Sequence, residues 1–152
     1  MIQRLQSLYL LASAILCIVC LSLPLGYFCT EAGERQADIF NLWLRINETG
    51  EHVFTPWALF ALLLIVSTLT VIDIFLFRRR ALQMRIASIC IVLLVGYYGF
   101  LGFLVYQAHK NGLTYTPSVT AAFPFAAIVL DYLAFRGILK DEMLVRSLDR
   151  LR

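Results

Sequence analysis

The chain has 152 residues, 61% of them apolar and 15% charged, with a formal net charge of +3. A water-soluble domain of this length cannot bury that much apolar surface, so the composition excludes an ordinary soluble fold and points to a lipid bilayer as the main solvent. The positive charge is not a nucleic-acid signal, because it lies beside apolar runs, where it orients a chain and meets anionic headgroups.

Four apolar runs cover roughly residues 5–26, 56–77, 86–108 and 119–139. A run of about 22 residues reaches roughly 33 Å as a helix, enough to cross the hydrocarbon layer. The basic residues are split unevenly between the ends of these runs. Arg4, Arg78, Arg79, Arg80, Arg85, Arg136, Lys140, Arg146, Arg150 and Arg152 lie at one set of ends, and only Arg35, Arg45 and Lys110 lie at the other. Basic flanks stay in the cytoplasm, so the split predicts four spans with both termini inside. The expected fold is an all-α membrane protein: one integral membrane domain over residues 1–152, built as an antiparallel four-helix transmembrane bundle.

The first run is long for a signal peptide, carries only Arg4 ahead of it and is followed by no clear small-x-small cleavage pattern, so a retained span is expected. Pro24 and Gly26 end it. The connection over residues 27–55 is acidic, with Glu31, Glu34, Asp38, Glu48 and Glu51 against two arginines. Phe40–Ile46 alternates in part, Asn47-Glu48-Thr49-Gly50 suits a turn, and His52-Val53-Phe54 suits a return strand. A small extracytoplasmic β-hairpin is expected there. Asn47-Glu48-Thr49 also fits a glycosylation sequon, but so short a pattern reads first as a turn.

Pro56 suits the first turn of span two, and Trp57 the interface. Arg78-Arg79-Arg80 ends that span, and the tight connection to Arg85 makes spans two and three antiparallel neighbours. Gly96, Gly99 and Gly102 in span three hint weakly at a packing face. Thr116-Pro117-Ser118 opens span four, where Pro124 is expected to cause a kink. Beyond it, the tail over residues 140–152 places Leu144, Leu148 and Leu151 at helical spacing, with Arg146 and Arg150 largely elsewhere. It reads as a cytoplasmic amphipathic extension that docks on a membrane surface or a partner.

Met1–Leu11 at the opening, Lys140–Arg152 at the close and Leu82-Gln83-Met84-Arg85 between them resemble the signatures of an uncharacterised bacterial family, domain-of-unknown-function family 4293, typical of Bacteroidota. The resemblance covers essentially the whole chain. It implies a small multi-span protein of the bacterial inner membrane and carries no activity, cofactor or catalytic residue.

Among single residues, Asp131 is the sharpest, since a carboxyl deep in a span is costly and suggests a proton or ion relay. The plainer reading is an Asp hydrogen-bonded inside the bundle. Asp73 is nearer the interface and is expected to pair locally with an arginine. Arg78, Arg79, Arg80 and Arg85 set topology and suit anionic lipid headgroups. Cys17 and Cys20 form a C-x-x-C pair of the kind that thiol–quinone chemistry uses, but small packing residues are the simpler reading, because buried thiols react poorly. His52 and His109 lack metal-ligand spacing. No catalytic residue, metal or cofactor is expected. The leading expectation is an accessory, assembly or scaffold subunit that meets the lipid bilayer and either a membrane-protein partner or further copies of itself. A small ion-coupled transporter centred on Asp131 is the alternative, and a thiol–quinone oxidoreductase using Cys17 and Cys20 the second.

Overall fold

The structure is a computed structural model that describes residues 2–76 and 79–149, with side chains over residues 6–76 and 79–145. It contains four helices: α1 (Ile2–Ser22), α2 (Trp57–Phe75), α3 (Arg80–Lys110) and α4 (Phe123–Asp149). It also contains five short strands: β1 (Gly26–Cys29), β2 (Arg35–Ile39), β3 (Leu44–Ile46), β4 (His52–Val53) and β5 (Thr114–Pro117). Three helices are long and apolar enough to cross a membrane; the described apolar stretch of α1, Gln6–Ser22, is shorter. α1 packs on α2 and α4, and α3 packs on the same two.

The helices share one inward pattern. Buried positions on α3 are Gln83, Ala87, Cys90, Leu94, Tyr97, Leu101 and Leu104, a regular alternation of four and three residues. α2 repeats it with Leu59, Leu63, Val66, Thr70 and Asp73, and α1 with Gln6, Leu10, Ser13, Cys17 and Cys20. On α4 the same phase runs through Ala127, Asp131, Ala134 and Ile138. A repeat of 3.5 residues keeps one seam facing the neighbours in left-handed helix packing. Many inward residues are small or polar, while Leu11, Ile15, Ile65, Ile72, Val92, Val95, Phe125 and Val129 point outward and are exposed. So large an exposed apolar face fits apolar surroundings.

The sheet corrects the expected hairpin. The pair β3–β4 is present, with Leu44 opposite Val53 and Arg45 opposite His52. Gly50 turns its loop at φ 69°, in the left-handed region that glycine favours. That hairpin is only the edge of a five-stranded antiparallel sheet of order β4-β3-β2-β1-β5. β1 is the centre of the missing part: it pairs with β2 on one side and β5 on the other. Helix α1 stops at Ser22, so Gly26-Tyr27-Phe28-Cys29 belongs to the sheet and not to span one. Gly26 is needed there, because a Cβ would collide with the Thr116 carbonyl oxygen.

Span four is also corrected. A single 3₁₀ turn, Val119–Ala122, precedes α4. Pro124 therefore falls in the first turn of α4, where its missing N–H costs nothing, and it causes no kink. The helix then runs unbroken to Asp149, so the tail continues α4 as far as the described residues reach. At 31 and 27 residues, α3 and α4 are about 46 and 40 Å long, more than a hydrocarbon layer of about 30 Å requires. Gly96, Gly99 and Gly102 lie on the outer face of α3, with open space where their Cβ atoms would be. They are not a packing seam inside the bundle.

Candidate functional site: a buried acidic pair between helices

Asp73 lies in the last turn of α2, and Asp131 lies on α4 about two turns after its start. The inward repeat turns both into the core, where each is fully buried. Neither carboxyl has a hydrogen-bond partner on either oxygen. Asp131 lies near Asp73, near Cys17 of α1 and near Cys90 of α3. Ser13 on α1 is fully buried, its hydroxyl is unpaired, and it is turned toward Asp131. Thr70 donates to the Val66 carbonyl oxygen at 2.9 Å and to Cys90 Sγ at 3.7 Å. All four helices thus contribute polar atoms to one region of the core.

Among the described residues, no arginine pairs with Asp73. Arg79 and Arg85 are exposed, and Arg80 lines a separate pocket of about 430 Å³ with Arg79 and Glu142. Arg78 lies outside the described residues. No described Lys or Arg is buried. On the side of the Arg79–Arg80 turn, Gln83 Nε2 donates to the Asp73 backbone oxygen at 3.3 Å, and buried Gln6 donates to Asp141 Oδ2 at 2.8 Å. On the sheet side, Leu63, Val66, Leu94 and Ala127 are fully buried.

A second polar cluster joins bundle and sheet. Asn41, from the β2–β3 loop, is fully buried. Its side-chain amide donates to the Cys20 carbonyl oxygen at 2.6 Å and accepts from Tyr97 Oη at 2.7 Å. Tyr98 Oη donates to the Ala121 carbonyl oxygen at 2.6 Å, and Tyr115 Oη donates to that of Leu25 at 3.0 Å. Burial pushes the Tyr115 phenol up to about 12. Between the sheet and the end of α3 lies a mostly apolar cavity of about 290 Å³, lined by Phe28, Ile39, Leu44 and Leu104 with Gln107 and Asn111 at its edge.

The remaining sequence candidates are dispersed. All four cysteines are free; Cys17 and Cys20 are fully buried, and Cys20 Sγ donates to the Thr120 carbonyl oxygen at 3.7 Å. Cys29 is half-buried in β1, away from that pair in the chain. His52 stacks edge-on against Trp43, and exposed His109 ends α3. Among the described residues, no three His, Cys, Asp or Glu side chains converge as metal ligands. Leu144 is exposed on α4 beside Met143 and Val145. The side chains of Arg146, Leu148, Arg150 and Leu151 lie outside those described.

Ser13, Gln83, Asn41 and Tyr97 were not among the sequence candidates. Phase was the available signal for the first two, since Ser13 and Gln83 occupy the same inward register as Asp131 and Asp73. Asn41 carried no such signal, being the lone polar side chain in Phe40–Ile46 apart from Arg45.

No curated protein gives a significant match to this chain. A family model described as Domain of unknown function (DUF4293) matches residues 2–151, and the chain belongs to that family.

Proposed function

We propose that the protein crosses a bacterial inner membrane four times, with the sheet outside and both termini in the cytoplasm, and serves as an accessory, assembly or scaffold subunit of a larger membrane complex. The observation that carries the membrane part is the outer face of the bundle, where many large aliphatic and aromatic side chains are exposed, while polar Ser13, Thr70, Asp73 and Asp131 are buried within. The uneven Arg and Lys distribution orients it, because the Arg79–Arg80 turn, the start of α1 and the end of α4 lie at one end of the bundle.

The subunit role rests on two features. The core on the sheet side is built mainly from Leu63, Val66 and Leu94, and the polar groups above them, Asn41 and Tyr97, are bonded to each other and to the Cys20 backbone. At the opposite end, α4 continues as helix beyond Lys140 with Met143, Leu144 and Val145 exposed. An unbroken helix cannot cross the bilayer and then lie flat on it, so this apolar stretch projects and suits a partner. Purification of the tagged full chain in mild detergent tests the role. Stoichiometric recovery of the same membrane protein across independent preparations is expected; a monomer that co-purifies with nothing contradicts it.

The Asp73–Asp131 pair favours a second reading, an ion-coupled protein centred on Asp131. In that case Asp131→Asn abolishes coupled uptake at an unchanged membrane level, and unaltered uptake removes the reading.

A further inference from the structure

We infer that Asp73, Asp131 and Ser13 form a single proton-binding site within the bundle, loaded from its arginine-rich end. This rests on the membrane topology proposed above and goes beyond a scaffold role.

Five oxygens define the site: both of Asp73, both of Asp131 and the hydroxyl of Ser13. All are buried, and none has a hydrogen-bond partner. They come from three helices, so the register of the bundle, not one local motif, brings them together. The titratable groups that face them are Cys17 from α1 and Cys90 from α3. No basic side chain among the described residues is buried with them. Two carboxyls that share an apolar interior are costly to charge together. A proton is therefore the ligand that makes this arrangement tenable, and a hydroxyl near one carboxyl can donate to an oxygen that loses it. The absence of converging metal ligands among the described residues weighs against a multivalent cation.

Sidedness follows from the layers above and below. Toward the arginine-rich end, buried Gln83 touches the Asp73 backbone, and buried Gln6 reaches Asp141 at the rim. These amide groups can hand water or protons inward. Toward the sheet the next layer holds Leu63, Val66, Leu94 and Ala127 together with buried Cys17 and Ser67, whereas Asp73 lies in the last turn of α2, beside the arginine-rich end. The site is thus assigned to exchange with that nearer compartment, as a sensor or proton reservoir does.

Dicyclohexylcarbodiimide tests this, because it adds to protonated carboxyls in apolar surroundings; intact mass and peptide mapping read the adduct. The full chain in detergent should take up the reagent at Asp73 or Asp131, and millimolar sodium or potassium should not protect it. In oriented vesicles the initial rate should follow the pH on the arginine-rich side, falling about tenfold for each unit above its midpoint. Asp73→Asn should move the midpoint for Asp131 by about one pH unit or more, as coupled groups require. Asp131→Glu retains an acid and should still label, which keeps the test valid if Asp131→Asn folds poorly. No adduct on folded, detergent-extracted protein, protection by sodium or potassium, dependence on the sheet-side pH, or an unmoved midpoint would each overturn the site. A chain that stays dissolved without detergent would instead overturn the topology.

Discussion

Gln6 and Asp141 stand 135 positions apart and share a hydrogen bond of 2.8 Å. The contact joins the start of α1 to the last third of α4. Gly137 lies under it, and a Cβ there would sit 3.0 Å from Gln6 Cγ. The bond fixes the start of α1 against α4 on the side where the arginines gather. Gln6→Ala is expected to cost about 1 kcal/mol, since the site is only partly buried, and to lower the melting temperature in detergent by about 2–4 °C. A double-mutant cycle with Asp141→Ala measures the coupling; fully additive losses would show that the bond contributes nothing.

The Asn41 cluster should matter more, because it is fully buried and joins sheet to bundle. Tyr97→Phe leaves one Asn41 acceptor without its donor and should cost about 1–3 kcal/mol. Asn41→Ala strands both the Tyr97 hydroxyl and the Cys20 carbonyl, so its cost should be larger. Thermal unfolding in detergent ranks the two, and equal stability of Asn41→Ala and wild type would contradict the cluster's role.

Tyr115 gives a pH prediction. Its folded value, about 12, lies above the ordinary value of 10 because the phenol is buried. Between these values the unfolded chain releases the proton while the folded chain retains it, so the contribution is present below pH 10 and is lost as pH rises toward 12. Wild type should therefore lose stability over that window more steeply than Tyr115→Phe. Melting curves of both proteins at matched pH check the difference.

Two glycines that look alike in sequence should behave oppositely. Gly26→Ala drives a Cβ into the Thr116 carbonyl and should weaken the β1–β5 pairing by about 1–3 kcal/mol. Gly99→Ala enters open space on α3 and should leave the isolated protein's stability within about 0.5 kcal/mol. If a partner helix covers that face, Gly99→Leu should reduce recovery of the partner while the monomer stays folded.

The helices were legible because a run of apolar residues long enough to span is a strong signal, and its ends carried arginines. The sheet was only half legible. Phe40–Val53 announced β3 and β4 through alternation and a turn, but β1 follows the apolar run of α1 so closely that it read as more helix. β5 was hidden similarly: Thr114-Tyr115-Thr116 is three residues of good strand former, and Thr116-Pro117 also suits a helix start. Pairing between segments so far apart is set by tertiary contact, which local patterns do not contain.

The site was legible residue by residue and not as a constellation. Asp131 stood out because any carboxyl deep in a span does. Nearness along the chain to Arg78, which lies outside the described residues, suggests a local pair for Asp73. What decides its direction is the inward repeat on α2, which puts Asp73 in phase with Thr70 and Val66. Ser13 is unremarkable in sequence and gains meaning only because α1 and α4 pack together.

Topology reporters bear most directly on the membrane orientation. Fusions at each terminus and in the β3–β4 loop should show a cytoplasmic reporter active at both ends and an export-dependent reporter active only in the loop. Termini found on opposite faces, or a loop reporter that is active only in the cytoplasm, would contradict the four-span arrangement.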